Sequence, residues 1–296
     1  MNTGYESGYP KSMKSGGQRM WLLVGLLGVI GAGVVTVAHA QQIWAGGFGG
    51  RTPPRFPTAT TFDGSFNFCR VMFRSDRREK QGWATDYPGA DINFSVRLAE
   101  LTKVKVKMAN TGTEDETPDA VVVRLTDQAL FQCPFTFMED AGTARFSDAE
   151  VERLRDYLLK GGFLLVSDYH GSWAREQFDE EIGRALPRAQ FPTVDLPPDH
   201  VVWRTMFPVS RLPQMASINT WRRSEGGTIE RWNEDASPPS ARGIVDAQGR
   251  LMVVMVHNTD MPDAWEREGE DSDYFFRFSP DAYAMGINIL LYAMTH

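Results

Sequence analysis

Three short stretches, AVVVRL (Ala120–Leu125), FLLVSD (Phe163–Asp168) and RLMVVMVHN (Arg250–Asn258), are apolar at nearly every position. A strand with one face in water alternates apolar and polar residues. A continuous run of β-branched and large aliphatic residues needs cover on both faces. FNFCRVMF (Phe66–Phe73) reads as a further strand, VKVKM (Val104–Met108) as a weaker one, and GIVD (Gly243–Asp246) pairs across AQG with the Arg250 run.

Helical signals fall between these runs. SDAEVERLRDYLLKGG opens on a capping box, Ser147 with Glu150, and places Val151, Leu154 and Leu158 on one face. DINFSVRLAELT (Asp91–Thr102) is started by Asp91. In SPDAYAMGINILLYAMTH, Ser279 is read as the cap and Pro280 as the first helical residue. Strands alternating with helices give an α/β fold with a mainly parallel sheet and helices on both faces.

The N-terminus sets the compartment. Lys11, Lys14 and Arg19 against Glu6 precede an uncharged run, Met20–Ala38, that ends in VAHAQQ. A positive flank before such a run keeps the N-terminus inside and sends the remainder across the membrane. Residues 1–40 read either as a signal peptide cut after Ala40 or as a retained membrane anchor. Residues 41–65, rich in Gly, Pro and Thr, read as a linker, and 66–296 as a single domain. The chain carries a formal charge of −7, and loss of the basic leader makes the exported part more acidic, which argues against a nucleic-acid partner. In an oxidising compartment Cys69 and Cys133 form either a disulfide or two separately buried thiols.

Ligands of parallel sheets bind beyond the carboxyl ends of the strands. Two polar clusters follow apolar strands directly: Asp168, Tyr169 and His170 in SDYHG, and His257, Asn258, Asp260, Asp263 and Trp265 in HNTDMPDAW. One reading is a divalent metal site built from His170, His257 and Asp260 or Asp168, since two imidazoles and a carboxylate suit a transition metal with an open position. Another pairs Cys133 as nucleophile with His170, although LFQCPF lacks the glycines of a nucleophile elbow. The third is a non-catalytic crevice for a ligand or partner, or a purely structural network that satisfies the strand-end polar groups, with no assigned cofactor. Asp86 and Tyr87 in QGWATDYPGADIN either form its rim or belong to a structured connection. MEDAGTARFSD (Met138–Asp148) reads as a surface loop, and His200 as structural.

GWATDYPGADINFSVRLAELTKVKV, FSDAEVERLRDYLLKGGFLLVSDYHG, VHNTDMPDAWE and GINILLYAMTH resemble the bacterial domain of unknown function 4159 family over about Phe66–His296. That family is similar in fold to class I glutamine amidotransferases. The resemblance implies a three-layer α/β/α sandwich with SDYHG at the position of the amidotransferase G-x-C-x-G elbow. The elbow cysteine is absent, so glutaminase chemistry is not implied. Family association points to envelope partners of the MoxR and von Willebrand factor A type. Together these features favour an exported, non-catalytic binding domain lined by Asp168, His170, His257 and Asp260, with a metal-assisted hydrolase as the alternative.

Overall fold

The computed structural model describes Met1 and residues 52–75, 82–109, 117–230 and 237–296. The apolar run 20–38 and the first part of the expected linker lie outside the described residues. Among the described residues, no helix is long and apolar enough to cross a membrane.

Within the compact unit Ala45–His296, seven strands form one sheet: β1 (Phe68–Met72), β3 (Ala120–Arg124), β4 (Phe135–Glu139), β6 (Phe163–Ser167), β7 (Thr193–Asp195), β8 (Ser240–Val245) and β9 (Leu251–His257). Their order is β3-β1-β4-β6-β9-β8-β7. The first five are parallel; β8 and β7 add an antiparallel edge. Two short strands, β2 (Arg74–Ser75) and β5 (Ala144–Arg145), pair separately. The fold is thus α/β with a mostly parallel sheet, as the doubly apolar strands require. The hairpin of β8 and β9 forms across the expected turn.

The helices are α1 (Gly89–Leu101), α2 (Asp148–Leu159), α3 (Gly171–Ala185), α4 (Ile218–Arg223), α5 (Met261–Glu266) and α6 (Ser272–Thr295). Alternate strand residues Phe68, Phe135, Phe137, Phe163, Leu165, Val254 and Val256 share one core with Phe94 of α1, Trp265 of α5 and Met285 of α6. Helices α2 and α3 pack on each other, and Tyr157 of α2 bonds the carbonyls of Cys133 and Phe163. The capping box of α2 is formed on both sides: the Glu150 N–H donates to Ser147 Oγ and the Ser147 N–H to Glu150 Oε2.

Four expectations change. Phe135–Glu139 is a central strand, and residues 141–144 behind it are buried rather than a surface loop. Pro134 and the acids at 139–140 break the apolar run that would have announced it. Residues 104–108 make only isolated bridges at Val106 and Met108, because Lys105 and Met108 stay exposed. Asp91 does not cap α1; it turns inward, fully buried, to Arg70. Helix α6 starts two turns early, capped by Asp271, with Pro280 inside it. The hydroxyl of Ser279 donates instead to the Ala264 carbonyl.

Cys69 and Cys133 form a disulfide, which removes Cys133 as a nucleophile for His170. Part of the expected linker lies along the sheet edge: the Arg55 carbonyl accepts from the Val122 N–H, and Arg55 pairs with Asp119.

Candidate functional site

Strand order reverses at β1, with β3 on one side and β4 on the other, and such a switch opens a crevice at the carboxyl edge of the sheet. The residues that leave this edge share an unusual backbone. Asp140, Asp168 and Asn258 directly follow β4, β6 and β9, with φ of 49°, 53° and 56°. Asp86, ahead of α1, has φ 54°. The left-handed region is uncommon outside glycine, and Asp and Asn tolerate it best. At each of these strand ends the chain stops extending abruptly, with a short polar residue at the edge of the sheet.

The turn after β6 is tied down by its neighbour. Asn258 Oδ1 accepts from the Gly171 N–H at 2.9 Å, the Asn258 N–H donates to the Tyr169 carbonyl at 3.1 Å, and its amide donates to the Ser237 carbonyl. Gly142 lets the segment after β4 approach α3; a Cβ there would sit 2.8 Å from the Cα of Ala174.

Beneath the crevice lies Arg70 of β1, with no exposed surface. Its guanidinium donates to both oxygens of Asp91, to Glu139 Oε2, and to the carbonyls of Trp83 and Thr85. Burial works against this charge, but the two carboxylates outweigh it and raise the pKa above the ordinary arginine value. Arg70 thereby fixes the segment that ends in Asp86.

The crevice itself is a cleft of about 110 Å³ lined by Thr85, Asp86, Asp140, Asp168, His170, Ala174, Ser217, Asn219, Glu230, Asp260, Asp263 and Arg267. Organic ligands of drug size occupy roughly 300–1,000 Å³, so this space suits an ion with its water and a small group. Six lining residues are carboxylates, and the cationic types are His170 and Arg267. Arg267 is held by Glu266 and Glu270 and reaches Asp263 only at 3.8 Å.

Two sets of ligand atoms converge here. Asp168, His170 and Asp260 form one, and Asp86, Asp260 and Asp263 the other, each with atoms within 4.8 Å of one another. His170 Nε2 lies 2.9 Å from Asp168 Oδ1. Asp260 Oδ1 accepts from the Asp263 N–H, capping α5. Asp263 Oδ2 accepts from the Ile218 N–H and the Tyr274 hydroxyl. Burial, then the neighbouring carboxylates, pushes Asp260 well above the usual carboxylate range. Burial also raises Asp86 and Glu139, each further raised by like charges. Asp263 is pushed up to about 6, mainly by burial. The Asp86 and Glu139 side chains hydrogen-bond each other, and Asp86 Oδ2 and Glu139 Oε1 meet no N–H or hydroxyl donor among the described residues.

Of the residues singled out from sequence, Asp86, Asp168, His170, Asp260 and Asp263 line the cleft together. Tyr169, His257, Asn258 and Tyr87 are not among its lining residues. His257 is absent from both convergent sets; its Nε2 is 2.9 Å from the Gly171 carbonyl and its ring packs on Tyr169. Burial lowers its pKa to about 4, so it is neutral at neutral pH. The Tyr87 hydroxyl accepts from the Arg55 N–H. Sequence reasoning passed over Arg70, Glu139, Asp140 and Glu230. The legible trace was a lone arginine inside FNFCRVMF and two acids ending FTFMED.

No curated protein matches the chain. The family model described as Domain of unknown function (DUF4159) matches residues 69–294, more than half of the chain, so the chain belongs to that family.

Proposed function

We propose that the strand-end crevice binds a divalent metal ion through Asp168, His170 and Asp260, and that the chain is an exported, cation-dependent binding domain of amidotransferase-like, three-layer fold. One observation carries this: among the described residues, six carboxylates line a small cleft whose one lining arginine is already engaged by other acids. Buried anions are stable when paired or when they coordinate a metal. One imidazole with two carboxylates is a mixed N/O donor set that suits Zn²⁺ or Mn²⁺. The left-handed turn at Asp168, between β6 and α3, supports the amidotransferase-like reading, with Tyr169 at the cysteine position of the G-x-C-x-G pattern and a carboxylate and an imidazole on either side of it. The Cys69–Cys133 disulfide supports export. On this reading the N-terminal segment leads to the envelope, as signal or anchor, and the partners are envelope proteins.

A second reading, metal-assisted hydrolysis, is favoured by one feature: the cleft beside Asp168, His170 and Asp260 leaves room for a metal-bound water. The test common to both is elemental analysis of the full-length chain, purified without chelator or histidine tag. The expected result is a stoichiometric divalent metal that falls at least about tenfold in occupancy in His170→Ala and Asp168→Asn. A metal-free, folded chain that gains none on addition of Zn²⁺ or Mn²⁺ would contradict the proposal. If metal is bound, a screen of ester and amide substrates separates hydrolase from binding domain.

A further inference from the structure

We infer that a second cleft, at the amino edge of the sheet, binds an aliphatic carboxylate of medium chain length. Phe66 and Asn67 run into the start of β1, and Pro134 into the start of its parallel neighbour β4. With the last turns of α6 they enclose a cavity of about 410 Å³, within the range of roughly 300–1,000 Å³ that small organic ligands occupy. The acidic crevice lies past the opposite ends of the same strands, so this site goes beyond the cation reading and does not depend on it.

Two ties preform the cavity. The Cys69–Cys133 disulfide joins β1 to the residue before Pro134, and Cys69 is itself part of the wall. The Phe66 N–H donates to the Lys105 carbonyl and the Lys107 N–H to the Phe66 carbonyl, which holds this segment against the entry to β1. Walls fixed in advance bind with little ordering cost.

The lining divides by chemistry. Phe62, Phe66, Val104, Leu290, Leu291 and Met294 supply aromatic and aliphatic surface, and Met294 is 52% exposed. No acid is among the described lining residues, and their one cation, Lys105, is exposed. Asp63, which lies between the lining residues Phe62 and Gly64, is already taken by Lys107 at 2.7 Å. Asn67 is buried in the wall; its Nδ2 donates to the Ser65 carbonyl, and its Oδ1 meets no donor among the described residues. In a chain of formal charge −7, an apolar cavity with a cation at its rim and no acid is complementary to an alkyl chain that ends in an anion.

The full-length chain is titrated calorimetrically with sodium decanoate below its micelle-forming concentration, and in parallel with decyltrimethylammonium, which has the same chain and the opposite charge. The expected result is one decanoate per chain, with the cationic amphiphile at least about tenfold weaker. Lys105→Glu combined with Met294→Glu changes only exposed positions, so the urea midpoint is expected to hold while decanoate affinity falls at least about tenfold. Equal affinity for the two amphiphiles would overturn the anionic assignment. Decanoate binding unchanged in the double variant would place the ligand elsewhere, the apolar run 20–38 included, and overturn the site. No binding at millimolar decanoate would overturn the inference outright. Metal content is read separately, so none of these results bears on the crevice.

Discussion

Two groups of buried acids lie side by side at the carboxyl edge of this sheet, and they are treated in opposite ways. Around Arg70, the carboxylates of Asp91 and Glu139 meet a guanidinium whose remaining N–H groups reach the carbonyls of Trp83 and Thr85. In the crevice, Asp86, Asp168, Asp260 and Asp263 face one another, and the one arginine among the described lining residues is engaged by Glu266 and Glu270. The first group pairs both of its carboxylates with a buried cation and holds β1, β4 and α1 together. The second carries more negative than positive charge among its described lining residues. The difference separates an ion cluster that supports the fold from one arranged for a ligand.

Removing a residue from each group sharpens that contrast. Arg70→Met strands two buried carboxylates and is expected to cost about 3–5 kcal/mol in urea unfolding; a loss below 1 kcal/mol would mean the cluster is not structural. The neighbouring disulfide belongs to the same supporting region, and Cys69→Ser with Cys133→Ser is expected to cost about 2–5 kcal/mol. Thiol titration of the denatured, unreduced chain is expected to find no free thiol. In the crevice the sign reverses. Asp260→Asn keeps a capping side chain but removes a repelled charge, and is expected to stabilise the chelated protein by about 1 kcal/mol, one pKa unit being worth ~1.4 kcal/mol.

The pH dependence follows from the same asymmetry. A carboxylate whose folded pKa lies above its unfolded value of about 4 binds its proton more tightly when folded. Its contribution therefore favours the fold at and below the unfolded value and is withdrawn as pH rises through the folded one. Asp263, at about 6, sets a window of roughly pH 4–6, and the raised values of Asp86, Glu139 and Asp260 extend it upward. His257 acts in the opposite sense: neutral in the fold, it withdraws stability as pH falls from about 6.5 toward about 4. The slope of stability against pH in chelator is thus expected to become less negative in Asp260→Asn and more negative in His257→Gln, both followed by urea midpoints. An unchanged slope in Asp260→Asn would remove the repelled-charge account of the crevice.

The parts of this molecule that the sequence reveals are those where chemistry and packing agree. β3, β6 and β9 are apolar at nearly every position because both faces are covered, and the polar residues that end β6 and β9 mark the crevice with Asp168, His170 and Asp260. β4 is hidden for the opposite reason. It carries Glu139 into the core, where Arg70 from a different strand makes that burial tolerable, and local periodicity cannot show a long-range ion pair. The early start of α6 is hidden because Ser279-Pro280 imitates a helix start; Pro280 and Phe276 one turn before it are both exposed. His257 sits at a strand end like His170, yet its alternation in β9 turns it toward Tyr169 and Gly171. A neighbouring position along a strand changes the face, and only the register decides which histidine meets the acids.

The most direct test of the central contrast is urea unfolding of the full-length chain at pH 7 in chelator and in saturating Mn²⁺. At a hundred times its dissociation constant, one bound cation is expected to add about 2.7 kcal/mol, with no such gain in Asp168→Asn and a full gain in a control such as Lys160→Ala at an exposed surface pair. Equal stability of the wild type in chelator and Mn²⁺ would contradict the account and make the crevice a second structural cluster.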